Sequence, residues 1–101
     1  MMRLRKSAIA EQDLLDIWDY IAQDSPAAAD RMWQRFDHRF KLLLKFPYTG
    51  ESQDRFRPGL RSIVEGSYVI FYEPRPDEIL IYRVLHGARK WEDLLSAEDD
   101  A

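Results

Sequence analysis

One change of hydrophobic period governs what this chain can fold into. Before Pro47 the apolar residues recur at helical spacing; beyond Pro58 they alternate or run together in short stretches. Ala10, Leu14, Ile17 and Ile21 fall on one helical face, and Trp18 widens the stripe. Ser7 stands where its hydroxyl can accept from a free amide of the first turn, and Glu11 and Asp13 follow where the helix dipole favours negative charge. These signals predict a helix from about Ala8 to Gln23. Asp24-Ser25-Pro26 then restarts a helix, since proline at a first helical position has no useful amide hydrogen to lose. Ala29, Trp33, Phe36, Phe40, Leu43 and Leu44 keep the helical period up to Pro47, which disfavours helix in the residue before it. Trp18, Trp33, Phe36 and Phe40 read as a core stripe.

Pro47 to Pro58 is a polar connector containing Gly50. Three β-branched or aromatic runs follow: Leu60–Val64, Tyr68–Glu73 and Glu78–Leu85. Glu65-Gly66-Ser67 and Pro74-Arg75-Pro76-Asp77 separate them as turns, which makes a meander. Met2–Lys6 alternates weakly and suits a short edge strand. Gly87 breaks the last strand, and Arg89–Leu95 adds a final helical turn. The order β-α-α-β-β-β predicts an α+β fold, with a helical hairpin on one face of an antiparallel sheet of three or four strands. Residues 1–95 form one domain, and the acidic 96–101 segment is expected to be a disordered tail.

Composition narrows the function classes. The 101 residues contain no cysteine, which removes disulfides and thiolate metal sites. Two histidines, His38 and His86, are too few for a zinc site, and no cofactor is expected. His38 lies in mid-helix between Asp37 and Arg39, where a surface role suits it. No apolar run approaches the roughly 18 residues of a membrane span, and the basic start lacks the apolar stretch of a secretory signal. The expected location is the cytoplasm, away from membranes.

Net charge is −3, which argues against binding a polyanion over the whole surface. Residues 55–91 are nevertheless basic: Arg55, Arg57, Arg61, Arg75, Arg83, Arg89 and Lys90 face Glu65, Glu73, Asp77 and Glu78. Residues 92–101 carry Glu92, Asp93, Glu98, Asp99 and Asp100 with no base. The negative surplus is thus assigned to the tail and the helices.

Several stretches resemble a known family. Ala10-Glu11-Gln12-Asp13-Leu14, leading to Ile17 and Tyr20-Ile21, is similar to the first helix of the RelE/ParE toxins. Pro47-x-x-Gly50 sits where those toxins have a connector. Gly59-Leu60-Arg61-Ser62 and Gly66-Ser67-Tyr68-Val69-Ile70-Phe71-Tyr72 resemble the ParE middle strands. Ile81-Tyr82-Arg83-Val84-Leu85-His86-Gly87-Ala88-Arg89 resembles the ParE C-terminal signature. The resemblance covers roughly residues 3–95. It implies the toxin of a type II toxin–antitoxin pair, neutralised by a ParD-like antitoxin and acting on DNA gyrase. The antitoxin would fold a disordered tail onto the sheet and hairpin, with Met2–Lys6 or the meander offering an edge. This chain would touch DNA only through that partner.

The RelE branch instead cuts messenger RNA in the ribosome. That chemistry needs a base, an acid and cations around the phosphorane. Arg61, Arg83 and His86 are the candidates here. No tyrosine follows His86, however, and Tyr82, four residues before it, shares its face only if the strand runs unbroken. The ParE reading needs a protein-binding surface rather than a catalytic site, so no catalytic residue is expected. Arg61, Arg83, His86, Arg89, Lys90 and Trp91 are the candidates for target binding, Trp and Arg being types enriched among interface hot spots. Plainer readings stand beside these. Arg61 and Arg83 could be cross-strand partners of Glu65, Glu73 or Glu78. His86 could be a hydrogen-bonded strand end, and Trp91 a cap on the core. A further alternative is a non-toxic module that regulates its operon together with the antitoxin.

Overall fold

The computed structural model describes residues 2–87, 89 and 91–96. Its elements are β1 (Arg3–Lys6), α1 (Ala8–Ala22), α2 (Pro26–Lys45), β2 (Glu51–Ser52), β3 (Arg61–Glu65), β4 (Tyr68–Pro74), β5 (Glu78–His86) and α3 (Trp91–Ser96). Both predicted caps form. Ser7 Oγ accepts from the Ala10 amide at 3.0 Å, and Ser25 Oγ accepts from the Ala28 amide at 3.1 Å. The helical hairpin packs on a sheet of order β1-β5-β4-β3-β2.

The sheet departs from the expected antiparallel form in two ways. β1 pairs with β5 in parallel, from Arg3 opposite Glu78 to Lys6 opposite Ile81. The physical reason is the connection: β1 runs directly into the hairpin, and that long excursion returns the chain in the direction a parallel pair requires. The fifth strand, β2, is a two-residue pairing of Glu51 and Ser52 with Ser62 and Arg61, too short to show a period in sequence.

β4 and β5 are buried along nearly their whole length, which explains why Val69–Tyr72 and Ile79–Tyr82 are continuous apolar runs. Ala10, Leu14, Ile17, Phe36, Phe40 and Leu43 cover one face, over Tyr68, Ile70, Tyr72, Ile79, Ile81 and Val84. On the opposite face Leu60, Val69, Phe71, Tyr82 and Leu85 pack under Leu95, with Phe56, Trp91 and Leu94 at the margin. The connector and the last helix therefore make a second core. Phe56, in the stretch read as polar, supplies part of it. Trp33 departs from the expected core stripe: it stands on the flank, 42% exposed.

A bulge interrupts the β4–β5 ladder. Tyr72 pairs with Ile81 and Phe71 with Arg83, so Tyr82 has no register partner. The extra residue resets the alternation. Tyr82 lies in the second core, and beyond the bulge Val84, rather than Arg83, returns to the first, where His86 pairs with Tyr68.

The connector is fastened at Gly50. Its amide donates to the Tyr72 hydroxyl at 2.9 Å, and that hydroxyl donates to the Pro47 carbonyl at 2.9 Å. A Cβ on Gly50 would lie 2.6 Å from Tyr72 Oη and 2.8 Å from the Ser62 carbonyl oxygen. Only glycine fits this approach, which gives the Pro47-x-x-Gly50 spacing a mechanical meaning. Gly50→Ala should destabilise the fold by about 1–3 kcal/mol through overpacking. Tyr72→Phe, which orphans a buried amide, should lose a similar amount, about 1–3 kcal/mol. Urea unfolding midpoints would check both, and wild-type stability for Gly50→Ala would refute the account.

Candidate functional site

The predicted target-binding residues meet different fates. Arg83 is not a surface cation. It is 9% exposed, with Nε 2.8 Å from Asp13 Oδ2, Nη2 3.0 Å from Asp13 Oδ1, and Nη1 donating to the Leu94 carbonyl at 3.3 Å. Asp13 Oδ2 also accepts from the Val84 amide at 3.0 Å. The physical reason is topological. β1 stops pairing at Ile81, so the outer edge of β5 beyond it needs other partners, and α1 supplies them. Ser7 takes part too, its hydroxyl donating to the Tyr82 carbonyl at 2.9 Å.

Arg61 donates to the carbonyls of Gly50 at 2.7 Å and Tyr48 at 3.3 Å, with its guanidinium 5.2 Å from the Tyr48 ring centre. It steadies the connector. The suggested cross-strand acids are occupied by other cations. Glu65 pairs with Arg35 and Arg39, Glu73 with Arg57 and Arg75, and Glu78 with Arg5 and Arg75. Burial, the largest single influence, would lower the Arg57 guanidinium, but Glu73 and Tyr82 together raise it above its usual value. The hydrogen bond from Arg5 holds the Glu78 carboxyl below the usual carboxylate range. Much of the positive surplus of residues 55–91 is thus internal ion pairing.

Trp91 packs edge-on against Phe71, with ring centres 5.2 Å apart, and its indole N–H finds no acceptor among the described residues. Lys90 lies outside the described residues. His86 and Arg89 are exposed and line the same cleft, about 510 Å³ in volume, between α1 and the far end of β4 and β5. Asp13, Asp16, Ile17, Tyr20 and Tyr68 also line it.

Sequence reasoning missed Tyr20 and Tyr68. Tyr68 sits edge-on to His86, ring centres 5.5 Å apart, and Tyr20 is 71% exposed. Burial, with Tyr20 beside it, pushes the Tyr68 hydroxyl above the usual phenol range. Strand pairing across the Pro74-Arg75-Pro76-Asp77 turn was the available signal: it sets Tyr68 opposite the end of the last strand. Arg61, Arg83 and His86 do not converge. Arg61 pairs with Tyr72 while His86 pairs with Tyr68, which separates them by four residues along β4 and two strands across, on the order of 15 Å.

Residues 4–91 match the family model described as the ParE toxin of the type II toxin–antitoxin system parDE. The chain belongs to the ParE toxin family. It is 33% identical over 88 residues to Toxin ParE1 of Caulobacter vibrioides, covering 85% of this chain and 90% of that toxin. A solved structure titled "Chromosomal ParDE TA system from P. aeruginosa" superposes with a TM-score of 0.70 at 25% identity, covering 85% of this chain and 96% of the other. This ParE-family chain is therefore the toxin type of a type II toxin–antitoxin system. No helix among its described residues is long and apolar enough to cross a membrane.

Two expectations follow. Asp13→Ala strips the buried Arg83 guanidinium of this carboxylate and the Val84 amide of its acceptor, and should destabilise by about 3–5 kcal/mol. A loss of under about 1 kcal/mol in urea unfolding, on the scale of a solvent-screened surface pair, would show the pair to be dispensable. Glu78 has a lower pKa folded than unfolded. Its share of stability is present above the ordinary carboxylate range and is lost as pH falls through its lowered folded value. Glu78→Gln should accordingly lose less stability than wild type between about pH 7 and pH 3. Parallel acid profiles for the two proteins would contradict this.

Proposed function

We propose that this ParE-family chain poisons DNA gyrase and blocks replication, and that a ParD-like antitoxin neutralises it. One observation carries the preference for a protein target: Arg83, the cation a nuclease site would present to phosphate, is consumed by Asp13 and Leu94. His86, Arg89 and the aromatic rim of Tyr20 remain as a contact surface around the cleft, and Trp91 and Lys90 follow it in the chain. The likeness to the chromosomal ParDE system of P. aeruginosa supports the antitoxin half of the reading.

A second reading has its own observation. Tyr68 supplies beside His86 the phenol that no residue after His86 offers, as an RNA endonuclease of the RelE kind would need. Purified toxin should inhibit gyrase supercoiling of plasmid DNA, and its expression should induce DNA-damage signalling before translation arrest. His86→Ala should keep most of that inhibition. Untouched gyrase together with ribosome-dependent mRNA cleavage that His86→Ala abolishes would replace the first reading by the second. Untouched gyrase, intact mRNA and normal growth would leave a non-toxic regulatory partner.

A further inference from the structure

The two helices of the hairpin carry opposite charge. α1 holds Glu11, Asp13, Asp16 and Asp19 and no basic residue. α2 holds Arg31, Arg35, Arg39, Lys41 and Lys45 against Asp30 and Asp37. Within the hairpin the negative surplus is therefore confined to the first helix. On α2 the core side is defined by Ala29, Phe36, Phe40 and Leu43. At 100° per residue the opposite side carries Arg31, Arg35, His38, Lys41 and Lys45, all exposed. Lys41 pairs with Asp37, and Arg35 shares Glu65 with Arg39. From Arg31 to Lys45 the row is about 21 Å long, alongside roughly six phosphates of one strand of a duplex.

We propose that the outward face of α2 is a binding face for the phosphate backbone of duplex DNA. A protein partner fits this face less well. Protein interfaces depend on apolar or aromatic anchors, and between these cations only Leu42 is apolar, and it is half-buried. Phosphate binding needs no anchor, because its driving force is the release of counterions. The row is also straight and rigid, as a rod-like polyanion requires. Contact of this kind reads no sequence, so it positions the toxin on DNA and adds to any specificity held elsewhere. The acidic outer side of α1 repels phosphate from the neighbouring helix, which restricts contact to one line. This face does not depend on gyrase being the target, and DNA binding is measured without gyrase.

The test is fluorescence anisotropy of the full chain with a labelled duplex of about 20 base pairs of arbitrary sequence, titrated with salt. Binding should appear at low salt, with a log–log salt slope of about −3, from roughly three neutralised phosphates. Arg31→Glu and Lys45→Glu should each weaken binding about tenfold and flatten that slope. Arg55→Glu makes the same change in net charge in the connector over the other face, and should leave affinity within about twofold. Circular dichroism would confirm that each variant is folded. No binding at low salt, or equal losses from all three variants, would overturn the proposal. So would undiminished DNA binding in the two α2 variants accompanied by loss of a protein partner.

Discussion

The Asp13 carboxylate is the joint on which the two layers turn. It meets a buried guanidinium and a strand amide at once, so one side chain of α1 both neutralises a charge and closes a sheet edge. Remove it and β5 has an unsatisfied edge amide beside a buried guanidinium stripped of this carboxylate. The alternative arrangement, with β1 extended to cover that edge, is forbidden by the chain: Ser7 already turns it into the first helix. The hairpin is thus pinned to the sheet by polar chemistry at one margin as well as by apolar burial across the face.

That joint reshapes the functional reading. A toxin of this fold could present a cationic sheet or hide one, and this chain hides most of it. Arg57, Arg75 and Arg83 are spent on carboxylates, and Arg61 on backbone carbonyls. What remains open is divided between a cleft with aromatic and imidazole walls and a basic helix on the hairpin. The two features lie on separate elements, so chemistry at one can be altered with little effect on the other.

The local parts of this architecture were legible in sequence. The caps at Ser7 and Ser25, the two apolar stripes and the meander turns follow from rules that act over a few residues. What was hidden depends on distant pairing. Nothing near Arg83 announces Asp13, because the two are brought together only when the hairpin folds back. The parallel placement of β1 and the Tyr68–His86 contact are products of register in the same way. The bulge at Tyr82 was invisible for another reason: alternation reads cleanly in a half-exposed strand, and β5 is buried on both sides. The absence of a tyrosine after His86 was a true observation with the wrong scope, since a neighbour in space need not follow in sequence. Phe56 was overlooked because a single ring in a polar loop has no period to betray it.

The union of the first strand with the last has a temporal meaning. Arg3 finds its place only beside Glu78, so a growing chain on the ribosome carries an unfinished sheet until the final strand has been made. At typical rates of synthesis of about 5–20 residues per second, that leaves several seconds in which a poison is being manufactured without yet having its shape. Any partner that reads the completed sheet must therefore wait for the last strand to be made.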